Sequence, residues 1–351
     1  MNEREPNDPS RLTYRDAGVD IDAQDEGLRR IRALVRSTRT AEVLSDLGSF
    51  GGLFAPRLAG LEAPVLVATC DGVGTKLRVA FESGVHDTIG RDLVQHCIND
   101  VLVQGATPLF FLDYFATGRL DPAVLAEVVS GIAAACRDQA VALLGGETAE
   151  MPGFYAAGEY DVAGFLVGIV DRPTLIDGGR VRPGDRLLGL PSAGLHTNGF
   201  SLARKILFDV AGLRLDERVP ELGGTVGEAL LREHVCYLKP LFEPIRERRI
   251  HALAHITGGG LTDNVPRVLP SGTAARIDRG TWSVPPLFEL LRRVGRVTDA
   301  EMYRTFNMGV GMVAIVGPDE VDAVERHLTR VGQPFSRIGE VVPGDRVVVY
   351  A

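Results

Sequence analysis

Apolar positions along the chain recur with two different periods, and they predict helices and strands in turn. Residues 26–39 place Leu28, Ile31, Leu34 and Val35 at helical spacing with arginines elsewhere, an amphipathic helix. Val65-Leu66-Val67-Ala68 is short and rich in Val, a buried strand that ends in Thr69-Cys70-Asp71-Gly72-Val73-Gly74-Thr75-Lys76. Residues 87–105 return to helical periodicity, with Asp87 expected as N-cap and Gly105 as stop. Val94, Cys97, Ile98, Val101 and Leu102 mark that helix as mostly buried. Asp92, His96 and Asn99 or Asp100 nevertheless recur along one face. A polar stripe inside an apolar helix needs a partner, either neighbouring backbone or a metal ion held by Asp100.

Residues 108–117 form an apolar strand carrying one acid, Asp113. Asp121-Pro122 then opens a helix as N-cap and N1, running to about residue 139. Residues 141–144 are a short strand ending in Gly145-Gly146-Glu147-Thr148, and 161–170 are another strand. Turn-rich punctuation follows at Asp177-Gly178-Gly179 and Arg182-Pro183-Gly184-Asp185. The second half predicts strands over 186–190, 251–257, 274–278, 336–342 and 346–350. It predicts helices over 200–210, 285–294 and 318–331. Residues 225–248 read as helical with breaks at Pro240 and Pro244. Residues 302–312 read as a polar turn entering a strand.

Both halves are therefore strands and helices with glycine loops at strand ends, which predicts two α/β domains facing across a cleft. The expected division is a frayed tail over 1–13, a first domain over 14–173 and a second over 174–351. A chain of 351 residues exceeds what one core usually supports. A formal net charge of −8 with no basic block disfavours binding to nucleic acid. No apolar run is long enough for a membrane span, and the four cysteines form no CxxC pair, so the chain reads as cytoplasmic with reduced, mostly buried thiols. Lys76, Lys205 and Lys239 are the only lysines among 38 basic residues, which favours a specific role for Lys76.

The candidate chemistry gathers where strands end. Gly72 and Gly74 permit close approach of backbone N–H groups to a phosphate, Asp71 suits Mg²⁺, and Lys76 supplies charge. Neither GxxxxGK[ST] nor GxGxxG is present. Gly146 and Glu147 repeat the same grammar, so Asp71, Asp100 and Glu147 are expected to converge as oxygen ligands. The loop Gly48, Ser49, Phe50, Gly51, Gly52 is either a nucleotide cover or a connector. His196, Thr197 and Asn198 sit between a strand and a helix N-terminus, a general anion site. Gly258, Gly259 and Gly260 form a second glycine loop. His251 and His255 have HxxxH spacing without an accompanying acid, which argues against zinc.

DAGVDID, TCDGVGTKL, HDTIGRDLV, NDVLVQGA, PLFFLDY, LLGGETAEMPG, DVAGF, HTNGFSL, ITGGGLTDNVPRVLP and YRTFNMGVGM occur in that order. Together they resemble the aminoimidazole ribonucleotide synthetase family, the phosphoribosylformylglycinamidine cyclo-ligases. The match runs from Tyr14 to the C-terminus. The resemblance implies ATP-driven ring closure of a phosphoribosyl small molecule, formylglycinamidine ribonucleotide. The fold implied is neither Rossmann nor P-loop, and the first domains of a homodimer would share a barrel. It further implies Mg²⁺ on Asp71, Asp100 and Glu147, and ATP on the 48–52 loop, Asp71, Gly72, Gly74, Thr75, Lys76, Gly146 and Glu147. Substrate would meet His196, Thr197, Asn198 and Gly258 to Gly260, with His196, Lys76 and Asp100 catalytic. One departure is that residues 1–75 hold no lysine, and Arg32 or Arg36 stands where relatives often carry one. The alternatives are another ATP-using member of the same superfamily, or a non-catalytic nucleotide-binding protein.

Overall fold

The computed structural model describes residues 17–47 and 51–351. Its first half runs α1 (Ile21–Arg36), β1 (Pro64–Gly72), α2 (Leu77–Ser83), α3 (Asp87–Leu102), β2 (Thr107–Thr117), α4 (Pro122–Asp138), β3 (Ala142–Glu150) and β4 (Tyr160–Asp171). The four strands form an open sheet in the order β1-β4-β2-β3. β4 is antiparallel to both neighbours, and β2 and β3 are parallel. Asp20 caps α1 by accepting from the backbone N–H groups of Asp22 and Ala23, and Asp121 caps α4 by accepting from Ala123 N–H. α3 and α4 cross at glycines. A Cβ on Gly90 would overlap the Val128 carbonyl oxygen, and one on Gly131 the Asp87 carbonyl oxygen. That close crossing presses α3 onto the sheet and fixes its polar stripe.

The second half runs β5 (Arg186–Pro191), α5 (Phe200–Arg204), β6 (Arg218–Val219), β7 (Gly224–Thr225), α6 (Val226–Leu230), α7 (Leu238–Arg246), β8 (Ile250–His255), α8 (Gly260–Asn264), β9 (Thr273–Ile277), α9 (Pro286–Gly295), α10 (Asp299–Thr305), β10 (Val310–Val316), α11 (Val321–Arg330), β11 (Ser336–Pro343) and β12 (Val348–Tyr350). Six of these strands form a sheet in the order β12-β9-β11-β5-β10-β8, antiparallel except for β12 with β9. One buried apolar cluster extends from Phe111 and Ile132 through Ile98 and Val101 to Tyr237, Leu253 and Val324, so the two halves share a core. The architecture is the expected mixed α/β one. Among the described residues no barrel closes.

Several local expectations are corrected. His86, not Asp87, occupies the cap position of α3, and Asp87 turns to its neighbour's N–H at Thr88. The 200–210 helix widens into a π turn after Arg204. The break in 225–248 falls at residues 231–237, ahead of both prolines. Pro240 sits in the first turn of α7, where a missing N–H costs nothing, and Pro244 lies inside that helix. Residues 302–305 belong to α10, capped by Thr298.

Candidate active site between the two sheets

Asp71 stands near the end of β1, and α3 presents Asp92, His96, Asn99 and Asp100 alongside it. The helical stripe predicted from spacing thus finds its partners in the second half of the chain. Asn99 donates to the Val235 carbonyl at 2.8 Å and accepts from Tyr237 N–H at 3.0 Å. Asp92 accepts from His234 N–H at 2.7 Å. Lys76 Nζ lies 2.6 Å from Asp92 Oδ2 and donates to the Arg232 carbonyl at 2.9 Å. Residues 231–237 are therefore tied to the first half by side chains that were legible as polar in the sequence.

That strap carries His234 to the head of the site. His96 Nε2 lies 2.9 Å from Asp71 Oδ2 and 3.8 Å from Asp100 Oδ2, and its Nδ1 meets Thr197 Oγ at 2.8 Å. His255 Nδ1 meets Asp100 Oδ1 at 2.8 Å, and Thr69 donates to Asp100 Oδ2 at 3.1 Å. His234 stacks on His196 with centroids 3.9 Å apart. His196 adopts φ of 60°, the left-handed region, which aims its ring back into the loop. Its Nε2 accepts from Ala193 and Val235 N–H groups at 3.2 and 3.3 Å.

These contacts set the charges. Burial works against the Asp100 carboxylate, but the His255 hydrogen bond and the positive potential of His255 and His96 win and hold it at about 2. Burial also opposes a charged His96, yet its Asp71 hydrogen bond and the charges of Asp100, Asp71 and Asp92 raise it above the ordinary value. Burial first, then cationic neighbours, push His196 and His234 well down, so both are neutral. Burial lifts Asp92 to about 6 against the pull of Lys76.

The acids and histidines open into a cavity of about 570 Å³ lined also by Gln104, Thr257, Asn264 and Arg267. Asn264 Nδ2 holds the glycine loop by donating to the Gly258 and Gly260 carbonyls at 3.1 and 2.9 Å. Gly258 lies against Asn198, since a Cβ there would stand 3.3 Å from Asn198 Oδ1. The two loops expected to meet substrate are therefore adjacent. Thr75 bonds Ser201 across the halves at 3.0 Å.

Three expectations do not survive the geometry. Asp71, Asp100 and Glu147 do not converge within the chain: β1 and β3 are opposite edges of the sheet, about 14 Å apart at ordinary strand spacing. Glu147, with Gly51, Gly52, Gly146, Arg32 and Asp113, lines a separate cavity of about 680 Å³ beside α1. Lys76 is fully enclosed and does not reach either cavity. His255 and His251 do have acids, Asp100 and Asp185, supplied by distant chain that linear spacing does not reveal. Gly48, Ser49 and Phe50, and the tail over 1–13, lie outside the described residues. Arg36 is paired with Asp46, which leaves Arg32 as the arginine on the α1 cavity. His234 and Arg267 were not singled out from the sequence; Arg267 lay inside a quoted motif, whereas His234 had no motif to flag it.

A family model for the N-terminal domain of AIR synthase related proteins matches residues 59–170, and one for the C-terminal domain matches 182–351. A phosphoribosylformylglycinamidine cyclo-ligase of Syntrophotalea carbinolica is 51% identical over 95% of both chains. One of Desulfitobacterium hafniense is 53% identical over 94% of this chain and 96% of that one. The chain belongs to the phosphoribosylformylglycinamidine cyclo-ligase family. Among solved structures, the thiamine-monophosphate kinase of Stenotrophomonas maltophilia has TM-score 0.68 at 18% identity, covering 92% of this chain and 95% of its own. The hydrogenase maturation protein HypE in complex with ATP has TM-score 0.64 at 19% identity, covering 92% and 90%. These two share the fold. No helix among the described residues is long and apolar enough to cross a membrane.

Proposed function

We propose that the chain closes the imidazole ring of formylglycinamidine ribonucleotide at the expense of ATP, giving aminoimidazole ribonucleotide, ADP and phosphate. The observation that carries the reading is the pairing of Asp71 and Asp100 around His96 on the wall of a cavity that also holds Arg267. Phosphorylation of the formyl oxygen turns it into a leaving group, and the ribosyl-bearing nitrogen then attacks that carbon. Such a reaction asks for positioning and charge neutralisation more than for a protein nucleophile.

The donor set fits Mg²⁺: two carboxylates on one cavity wall, one of them held strongly ionised. Mg²⁺ would sit on Asp71 and Asp100 and supply charge neutralisation to the transferring phosphoryl group. His255 orients Asp100 through its Nδ1–H, and His96 keeps the two carboxylates apart with an N–H between them. Arg267, Thr257 and the loop Gly258 to Gly260 suit the substrate's phosphate. Thr197 and Asn198 flank its amide end. Lys76 acts behind the site by holding the strap. His196, neutral and with Nε2 engaged by two backbone donors, orients the loop rather than exchanging a proton at that nitrogen.

We further infer a homodimer through the open face of the four-stranded sheet, where Leu66 and Phe165 are 65% and 41% exposed. We place the division between domains at residues 173 and 174.

The test measures ADP released from Mg-ATP with and without formylglycinamidine ribonucleotide, together with the aminoimidazole product, for the natural protein and for Asp71→Asn. Substrate-dependent ADP matched by product, and lost in the variant, is expected. ATP binding without substrate-dependent ADP overturns the reading in favour of a relative of different substrate or a non-catalytic binder.

A further inference from the structure

Behind Asp71 and Asp100, three imidazoles face one another as a near three-fold propeller. The ring centroids of His96, His234 and His255 are 5.0, 5.1 and 5.3 Å apart pairwise, with interplanar angles of 67°, 64° and 65°. All three residues are buried, and one ring nitrogen of each lies within 4.8 Å of the others.

The hydrogen-bond directions say which nitrogens face inward. His255 Nδ1 is turned to a carboxylate oxygen, Asp100 Oδ1, at 2.8 Å, so Nδ1 bears the proton. His234 Nδ1 is turned to the Val235 carbonyl oxygen at 3.1 Å, nearer than the Asn99 Nδ2 donor at 3.5 Å, and bears its proton likewise. With one proton on each ring, both Nε2 atoms are lone-pair nitrogens facing each other at 3.3 Å, a separation closed either by a metal ion between them or by a second proton on His255 beside the Asp100 carboxylate. A tetrahedral metal with metal–nitrogen bonds of about 2.0–2.1 Å sets its ligands about 3.3–3.4 Å apart. The outer nitrogens are also placed as metal-bound imidazoles require, one on a carboxylate and one on a backbone carbonyl, which fixes ring orientation and raises ligand basicity.

We propose that His234 and His255, with His96 as third ligand once its contact with Asp71 or with Thr197 is given up, form a binding site for a nitrogen-preferring divalent metal of the zinc–cobalt class, adjoining the oxygen site on Asp71 and Asp100. Three nitrogens leave a fourth position for water. Mg²⁺, which prefers oxygen and six-fold coordination, does not match this donor set. Asp100 links the two sites, since one of its oxygens orients His255 while the carboxylate faces the cavity. The site does not depend on the cyclo-ligase reading, and its test reads binding rather than turnover.

The full-length protein, stripped with a chelator, is titrated with Co²⁺ alone and followed by visible absorption. One equivalent with the intense bands of a tetrahedral site is expected, and it persists in a roughly 100-fold excess of Mg²⁺. Asp71→Asn retains the bands, whereas His234→Gln weakens binding by at least about 100-fold. The proposal is overturned by absence of tetrahedral bands in the natural protein, which means a shared proton closes the Nε2 gap. It is equally overturned by displacement with Mg²⁺, or by bands unchanged in a folded His234→Gln. The natural-protein arms decide the matter even if that variant does not fold.

Discussion

Lys76 Nζ stands 2.6 Å from Asp92 Oδ2 with both side chains wholly enclosed, and the pair holds the strap that carries His234. Removing one member leaves the other charge buried without its partner. Lys76→Met is therefore expected to cost about 3–5 kcal/mol, and Lys76→Met with Asp92→Asn to recover part of that loss, because the second change removes the stranded charge. Denaturant unfolding of the two variants checks this. A double variant no more stable than the single one removes the ion-pair account.

The strap's second fastening is Asn99. Its amide satisfies the Val235 carbonyl and the Tyr237 N–H together, and an alanine leaves both buried groups without their bonds. Asn99→Ala is expected to destabilise the protein by roughly 2–6 kcal/mol, at about 1–3 kcal/mol for each of the two orphaned groups. A loss below about 1 kcal/mol for Asn99→Ala in thermal unfolding would mean that the Val235 and Tyr237 groups find other partners and that Asn99 does not fasten the strap.

Much of this arrangement was readable in one dimension. The strand into Asp71, the polar stripe on α3, and the N-cap at Asp121 follow from local periodicity and capping chemistry. The demand that Asp92, His96, Asn99 and Asp100 have partners also followed from burial. The identity of those partners did not: Thr197, residues 231–237 and His255 lie more than a hundred positions away, and the nearer partners Asp71 and Lys76 have no fixed helical spacing from the stripe. Lys76 illustrates the limit most sharply. Its rarity marked it as special, but a lysine after a glycine turn reads as a phosphate ligand until Asp92 is seen beside it. Glu147 shows the converse: it shares strand-end grammar with Asp71, yet sheet order places the two at opposite edges.

The crossing of α3 and α4 offers a test of how the stripe is held in place. A methyl on Gly131 would overlap the Asp87 carbonyl oxygen at the first turn of α3. Backbone cannot rotate aside as a long side chain does, so the helices must separate. Gly131→Ala is expected to destabilise by about 1–3 kcal/mol or more, in spite of alanine's better helix propensity. It should also raise the KM for substrate, since the α3 acids move with the helix. A gain in unfolding midpoint would mean that the crossing is looser than described.

His196 makes stability depend on pH with a definite sign. Burial holds its native pKa well below the ordinary value, whereas the unfolded side chain titrates near 6.5. Its contribution is therefore complete above about pH 6.5 and is lost as pH falls toward the depressed native value, because the unfolded chain then binds one proton more. The slope from this one residue is about 1.4 kcal/mol per pH unit. Asn replaces His196 without a titrating group and tolerates the left-handed backbone at that position. Between pH 7.5 and 5.5 the natural protein should lose more unfolding free energy than His196→Asn, whatever their difference at pH 7.5. Equal losses over that interval would mean that His196 is protonated in the folded state, and the two backbone donors at its Nε2 would then have to turn away.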